Sequence, residues 1–172
     1  MNKPVTSQRE RILRHAIEQL EMEFPGEDIT PVAIAIRLRH LSIVDQRALQ
    51  DALEPFDIGV GEIDVLTHLA QQPPPHRLRP SDLAEFCMVT TGAITGRLGR
   101  LEQEGYIVRA PSTSDKRTIY VEMTEKGRVL IQQARDRVIE TSRFMNGIRA
   151  LPAAERERFN ATLIKLIRIL GE

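Results

Sequence analysis

Tryptophan is absent from these 172 residues, aromatic residues make up 4%, and there is one cysteine. Any core is therefore aliphatic, drawn from the 41% of residues that are apolar, and no disulfide framework is available. No apolar run approaches the roughly 18 residues of a membrane span. The opening stretch MNKPVTSQRERILRH has no apolar signal core, so the protein is expected to be soluble and cytoplasmic. Lys and Arg number 24 and Asp and Glu 24, a formal net charge of zero. The global basic footprint common in nucleic-acid binders is missing. Enzyme signatures are missing too: there is no Gly-rich phosphate loop, nucleophile elbow or HExxH. The acidic residues stand at helix-surface spacings, where i,i+4 pairing accounts for them. His15, His40, His68 and His76 form no metal-ligand pair. The chain is expected to be neither an enzyme nor a metal or cofactor carrier.

What is present is concentrated between Leu78 and Met123. A short helix pattern runs from Pro80 to Cys87, with Pro80 in its first turn and Asp82 near the positive helix end. A tight turn, Met88-Val89-Thr90, leads to a second helix, capped by the hydroxyl of Thr90 or Thr91 and stopped at Gly105. Ile94, Leu98 and Leu101 form its buried stripe. Its other face carries Thr91, Gly92, Thr95, Gly96, Arg97 and Arg100, small hydroxylated residues and two arginines suited to close approach to phosphates and base edges. The period then changes to 2. Tyr106–Arg109 and Thr118–Met123 read as strands, with Ile119, Val121 and Met123 on one face. The polar stretch between them, Ala110 to Arg117, is a hairpin tip. A helix-turn-helix followed by a basic hairpin is a winged helix, whose second helix enters the major groove while the tip reaches the backbone or minor groove. Local charge agrees. Residues 97 to 117 hold five cations (Arg97, Arg100, Arg109, Lys116, Arg117) against three anions (Glu102, Glu104, Asp115), and steering depends on the local patch.

Helices flank this segment. Ser7 and Glu10 make a capping pair ahead of a stripe of Ile12, Leu13, Ala16, Ile17 and Leu20, which Phe24-Pro25-Gly26 ends. Thr30-Pro31 opens a long helix to about Leu53, with the stripe Ile34, Leu38, Leu41, Leu49 and Leu53. A third helix, about Val60 to Gln71, stops at the triple proline, and His76–Arg79 supplies a short edge strand. One helix runs from Thr124 to about Asn146-Gly147, and a last one from Leu151-Pro152 carries Phe159, Leu163, Leu166, Ile167 and Leu170. The terminal helices hold more apolar surface than one winged domain can cover, which predicts a homodimer. The expected fold is mainly α with a small β-wing. Helices 1–58 and 124–172 dimerise, and 59–123 form the winged helix-turn-helix.

Gly105-Tyr-Ile-Val-Arg109, the Asp115-Lys-Arg117 tip and Val121-Glu-Met-Thr-Glu-Lys-Gly-Arg128 resemble the wing signature of MarR-type bacterial transcription regulators, over roughly Pro31 to Glu172. At the tip, Ser112-Thr-Ser114 stands where the family is richer in Asp and Arg. The helix before Pro25 looks like that of the urate-responsive branch. The resemblance implies a ligand site at Asp64, Arg97 and Arg109. The tryptophan of that branch has no counterpart, since Ala16 or Ile17 falls there, and the stacking surface goes with it.

These readings predict a ligand-responsive regulator, a repressor by the family's usual mode. It binds pseudo-palindromic double-stranded DNA and is released by a small aromatic anion. Thr91, Gly92, Thr95, Gly96, Arg97 and Arg100 would meet DNA, with Ser114, Asp115, Lys116 and Arg117 at the tip, where Asp115 braces the loop. Asp64, Arg97, Arg109 and His40 would line the effector site. The bland alternatives are solvated surface charge for the arginines and a helix-dipole role for Asp64. Cys87 ends an apolar run and reads as an inert core residue. A winged-helix module that binds protein instead of DNA is the competing function, and neutral net charge favours it.

Overall fold

A computed structural model describes residues 8–111 and 118–171. The predicted tip residues Ser114, Asp115, Lys116 and Arg117 lie outside the described residues, as does Ser7 of the predicted capping pair. The chain divides into two compact units, residues 1–47 and 48–172. In the first, α1 (Gln8–Glu23) ends before the left-handed Gly26, and α2 (Thr30–Leu53) opens with the Thr30 amide donating to Asp28 Oδ1 at 3.0 Å. The last turns of α2 belong to the second unit, where Ala48, Ala52 and Leu53 are buried.

A single 3₁₀ turn (Glu54–Phe56) ends at the left-handed Asp57, and α3 (Val60–Ala70) follows. Strand β1 (Arg77–Leu78), α4 (Pro80–Phe86) and α5 (Thr91–Gln103) come next, then β2 (Ile107–Pro111) and β3 (Ile119–Met123). The three strands form one antiparallel sheet in the order β1-β3-β2, with Arg77 opposite Glu122 and Arg109 opposite Val121. The fold is mainly helical with a small three-stranded sheet, as the two periodicities predict. The core is aliphatic: Val65, Leu66 and Leu69 of α3, Leu83 of α4, Ile94, Leu98 and Leu101 of α5, Ile107 and Val121 are all 0–1% exposed. Of the three residues predicted to share one face of β3, Val121 is buried and Met123 packs against the core. Ile119 is exposed, because it pairs with Pro111 at the open end of the ladder.

One predicted helix proves to be two. α6 (Glu125–Thr141) stops at Ser142, whose extended backbone also starts α7 (Arg143–Ala150). The buried Ser142 hydroxyl accepts from the Met145 amide at 3.3 Å. A serine that captures an amide three residues on offers the chain an N-cap in place of another helical turn. α8 (Ala153–Leu170) ends at the left-handed Gly171 and has no buried residue.

Candidate nucleic-acid interface and effector site

The turn between α4 and α5 positions the second helix. Met88 adopts φ 51° and is exposed, and the Val89 amide returns to the Ala84 carbonyl at 3.0 Å. Thr90 caps α5, its hydroxyl accepting from the Ala93 amide at 3.3 Å, while Asp82 caps α4 by accepting from the Arg79 amide at 3.3 Å. With Ile94, Leu98 and Leu101 inward, Thr91, Gly92, Thr95 and Gly96 are all exposed. A Cβ added at Gly92 would meet nothing within 4 Å, so this face is open. Thr95 Oγ1 donates to the Thr91 carbonyl at 2.8 Å. Its proton is used inside the helix, leaving an acceptor oxygen and a methyl group facing out. Ala93, exposed beside them, belongs to the same face.

The two arginines of α5 are not alike. Arg97 is half-buried and folds back over α3, its Nη1 donating to the Gly61 carbonyl at 3.4 Å. A methyl at Gly61 would meet the guanidinium carbon at 2.6 Å, so Gly61 is what lets it lie there. Arg100 turns to Glu62: its Nε donates to Oε1 at 2.6 Å and its Nη2 reaches the same oxygen. This pair borders a cleft of about 450 Å³ walled by Phe56, Ile58, Leu101 and Tyr106. Arg109, expected beside Asp64, instead donates from Nε to Glu102 Oε2 at 3.0 Å. Arg109 and Glu102 sit on β2 and α5, two elements that pack together, so the nearer carboxylate takes the guanidinium. His40 lies in the other unit, in a groove between α1 and α2 with Arg9, Leu13, Ile43 and Arg47.

Asp64 and Arg97 are brought together, and the fold adds His68 and Cys87 to them. Burial pushes the Asp64 carboxyl up, and the charges of Arg97 and His68 offset part of that rise. Burial, helped by the Asp64 charge and opposed by Arg97, also pushes the Cys87 thiol up, toward the unreactive protonated form. The His68 ring stacks at a tilt on Phe86, centroids 5.6 Å apart. His68 stands one helical turn after Asp64, so that neighbour is readable from spacing. Cys87 and Glu62 are not, because their partners lie on other elements. Chemically the group is a half-buried carboxylate with a cation across it, able to exchange its partner for an incoming anion.

The raised Asp64 carboxyl has a pH consequence. A folded-state pKa above the ordinary 3.8 means the protonated form is favoured by folding. The associated stability is present below that value and lost as pH rises through the folded pKa. Asp64→Asn should therefore melt higher than wild type at neutral pH, with the gap closing as pH falls toward 4. Thermal melts across that range check it, and a gap that widens on acidification would contradict it.

Residues 60–119 match the model of the MarR family. The chain is 28% identical over 127 residues to the HTH-type transcriptional regulator PecS of Dickeya dadantii, covering 74% of this chain and 76% of that protein. Among solved structures it resembles apo MarR from E. coli at TM-score 0.65 and 27% identity, over 76% of this chain and 95% of that one. It also shares the fold of a MarR variant from E. coli complexed with operator DNA, at TM-score 0.68 and 24% identity, over 83% and 99% of the two chains. With the open α5, the paired strands that follow it and the aliphatic core beneath them, these likenesses identify residues 60–119 as a MarR-family winged helix-turn-helix, in a chain similar over most of its length to MarR-family transcriptional regulators.

Proposed function

We propose that this protein is a cytoplasmic repressor that binds pseudo-palindromic double-stranded DNA as a homodimer and is released by a small aromatic anion. The observation that carries the DNA reading is the exposed face of α5. Thr91, Gly92, Thr95 and Gly96 stand open on a helix whose opposite side is locked into the core. Such a face lets the helix backbone approach base edges. The fold shared with an operator-bound MarR supports it. Lys116 and Arg117 at the wing tip would hold phosphates, with Ser114 beside them and Asp115 bracing the loop. The dimer reading is supported by apolar residues left exposed on α8: Phe159, Ile164, Ile167, Ile169 and Leu170. Residues 1–58 and 124–172 would form the dimer, and 59–123 the reading head.

The effector site centres on Asp64 and Arg97. An aromatic carboxylate or enolate would take Arg97 from Asp64, forming a charge-assisted pair. Because Arg97 belongs to α5, the exchange would move the helix that reads DNA. Effector and DNA then weaken one another by one factor, since linkage is reciprocal. Arg109, paired with Glu102 in this structure, enters this site only if ligand binding recruits it.

Salt-titrated binding to a pool of duplexes, followed by selection of the preferred site, tests the DNA reading. Affinity should fall with salt at a slope of about −0.9 for each phosphate neutralised. Arg117→Ala should weaken selected and unrelated duplexes alike and make the slope shallower by about one unit for each phosphate the side chain no longer neutralises. Thr95→Ala should instead change which site is selected. Neutral net charge favours the second reading, a protein-binding winged helix. Wild-type protein that shows no salt-dependent binding to any duplex would establish that reading and end this one.

A further inference from the structure

Glu62 is a carboxylate in the first turn of α3, with only 11% of its side chain exposed, and it engages a side chain that is 64% exposed, Arg100 of α5. Its Oε1 accepts from both Nε and Nη2 of Arg100. Its other oxygen lies against Gly59, where an added Cβ would collide with it. Packing therefore fixes the carboxylate on one side, and the carboxylate fixes the guanidinium on the other. A free arginine side chain samples many rotamers, and a planar fork gripped along one edge does not. The grip leaves Nη1 without an acceptor among the described residues. Nη1 stands beside Gly96, 3.9 Å from the place a Cβ would occupy there. The cation is thus presented over the open part of α5.

We propose that Glu62 is a positioning residue for sequence recognition: by holding Arg100 over Gly96 it turns a mobile cation into a directed donor, raising selectivity while lowering non-specific affinity. The inference rests on the DNA reading above. A mobile arginine seeks any phosphate, an interaction without sequence information. An arginine whose charge is half-neutralised by a fixed carboxylate gains little from a phosphate. It gains more where a base edge meets its remaining N–H groups, as guanine O6 and N7 do.

The test uses the full chain with two short duplexes, the site selected by wild type and a scrambled duplex of the same composition, each titrated with salt. Glu62→Gln keeps the shape and removes the charge. It should bind the scrambled duplex about threefold to tenfold more tightly at low salt, with a slope steeper by about 0.9 per reading head. The ratio of selected to scrambled affinity should fall about tenfold, the low end of the loss for one misread base pair. Arg100→Lys, which keeps the charge but lacks the fork, should reproduce the loss of selectivity, and it carries the test if Glu62→Gln does not fold. In an Arg100→Ala background, Glu62→Gln should change nothing further. A Glu62→Gln effect that persists in that background, or an unchanged affinity ratio, would overturn the positioning role while leaving the DNA reading intact. Wild type that ignores both duplexes would overturn both.

Discussion

Gly127→Ala should cost about 1–3 kcal/mol of stability, the range for forcing a methyl into a packed site. At roughly 2–4 °C per kcal/mol for a chain of this size, the melting temperature should drop visibly. α6 begins by fastening itself to the turn between α5 and β2. The Thr124 amide donates to the Tyr106 carbonyl at 3.0 Å, Thr124 Oγ1 to the Gly105 carbonyl at 2.8 Å, and Lys126 Nζ to the Glu104 carbonyl at 2.6 Å. Gly105 adopts φ 73°, the left-handed conformation that lets α5 stop and the chain turn into β2. Gly127 lies buried over this turn, where a Cβ would collide with the Tyr106 carbonyl oxygen and stand 3.0 Å from Met123 Cγ. A backbone oxygen cannot rotate away, so the helix must lift and lengthen its three fastenings. Gly147→Ala is the control. It is helical with nothing within 4 Å of an added Cβ, and should stabilise by about 0.5–1 kcal/mol through backbone entropy. Calorimetry on both variants separates the two effects, and a Gly127→Ala protein that melts with wild type would show that α6 shifts at no cost.

Arg97→Ala should leave DNA recognition measurable and raise the concentration at which the proposed effector releases DNA. A hydrogen bond to a charged group contributes about 1.5–3 kcal/mol, so the effector should bind roughly 10- to 150-fold more weakly. Arg97 is tucked over Gly61 and stands in the field of Asp64, unlike the exposed Thr91 and Thr95 of the same helix. Its loss should fall mainly on the anion site. The measurement is displacement of labelled duplex by aromatic carboxylates and purine anions, with Asp64→Asn run in parallel. Release of DNA at unchanged effector concentrations from both variants would place the effector elsewhere.

The helices, the turn and the wing strands follow from local rules acting on neighbouring residues. Ile94, Leu98 and Leu101 recur at helical spacing, and each is buried. The change to period 2 after Gly105 marks the strands, and Thr30-Pro31, Thr90 and Thr124 mark helix starts. Each signal lies within a few residues of what it determines, which is why it can be read without a fold. Even the break at Ser142 has a local cause, but a serine within a helical pattern is equally at home in a helix facing solvent. Only burial of its hydroxyl made the cap.

Which residues share a site was decided by tertiary structure. Arg97, Arg100 and Arg109 look interchangeable on a helix face and a strand, yet no two of them share a neighbour. Arg97 goes to Gly61 and Asp64, Arg100 to Glu62, and Arg109 to Glu102. A guanidinium on a long, flexible stem takes the carboxylate or carbonyl nearest to it in space, and nearness across 36 or 38 residues is set by how α3 packs on α5. For the same reason His68 acts on the Asp64 carboxyl and Asp64 on the Cys87 thiol, with Arg97 acting on both, although the groups lie on α3, α4 and α5. Short-range pattern specifies most of the elements and the faces they turn to the core. The packing of those faces, which no short-range pattern encodes, decided which charges meet.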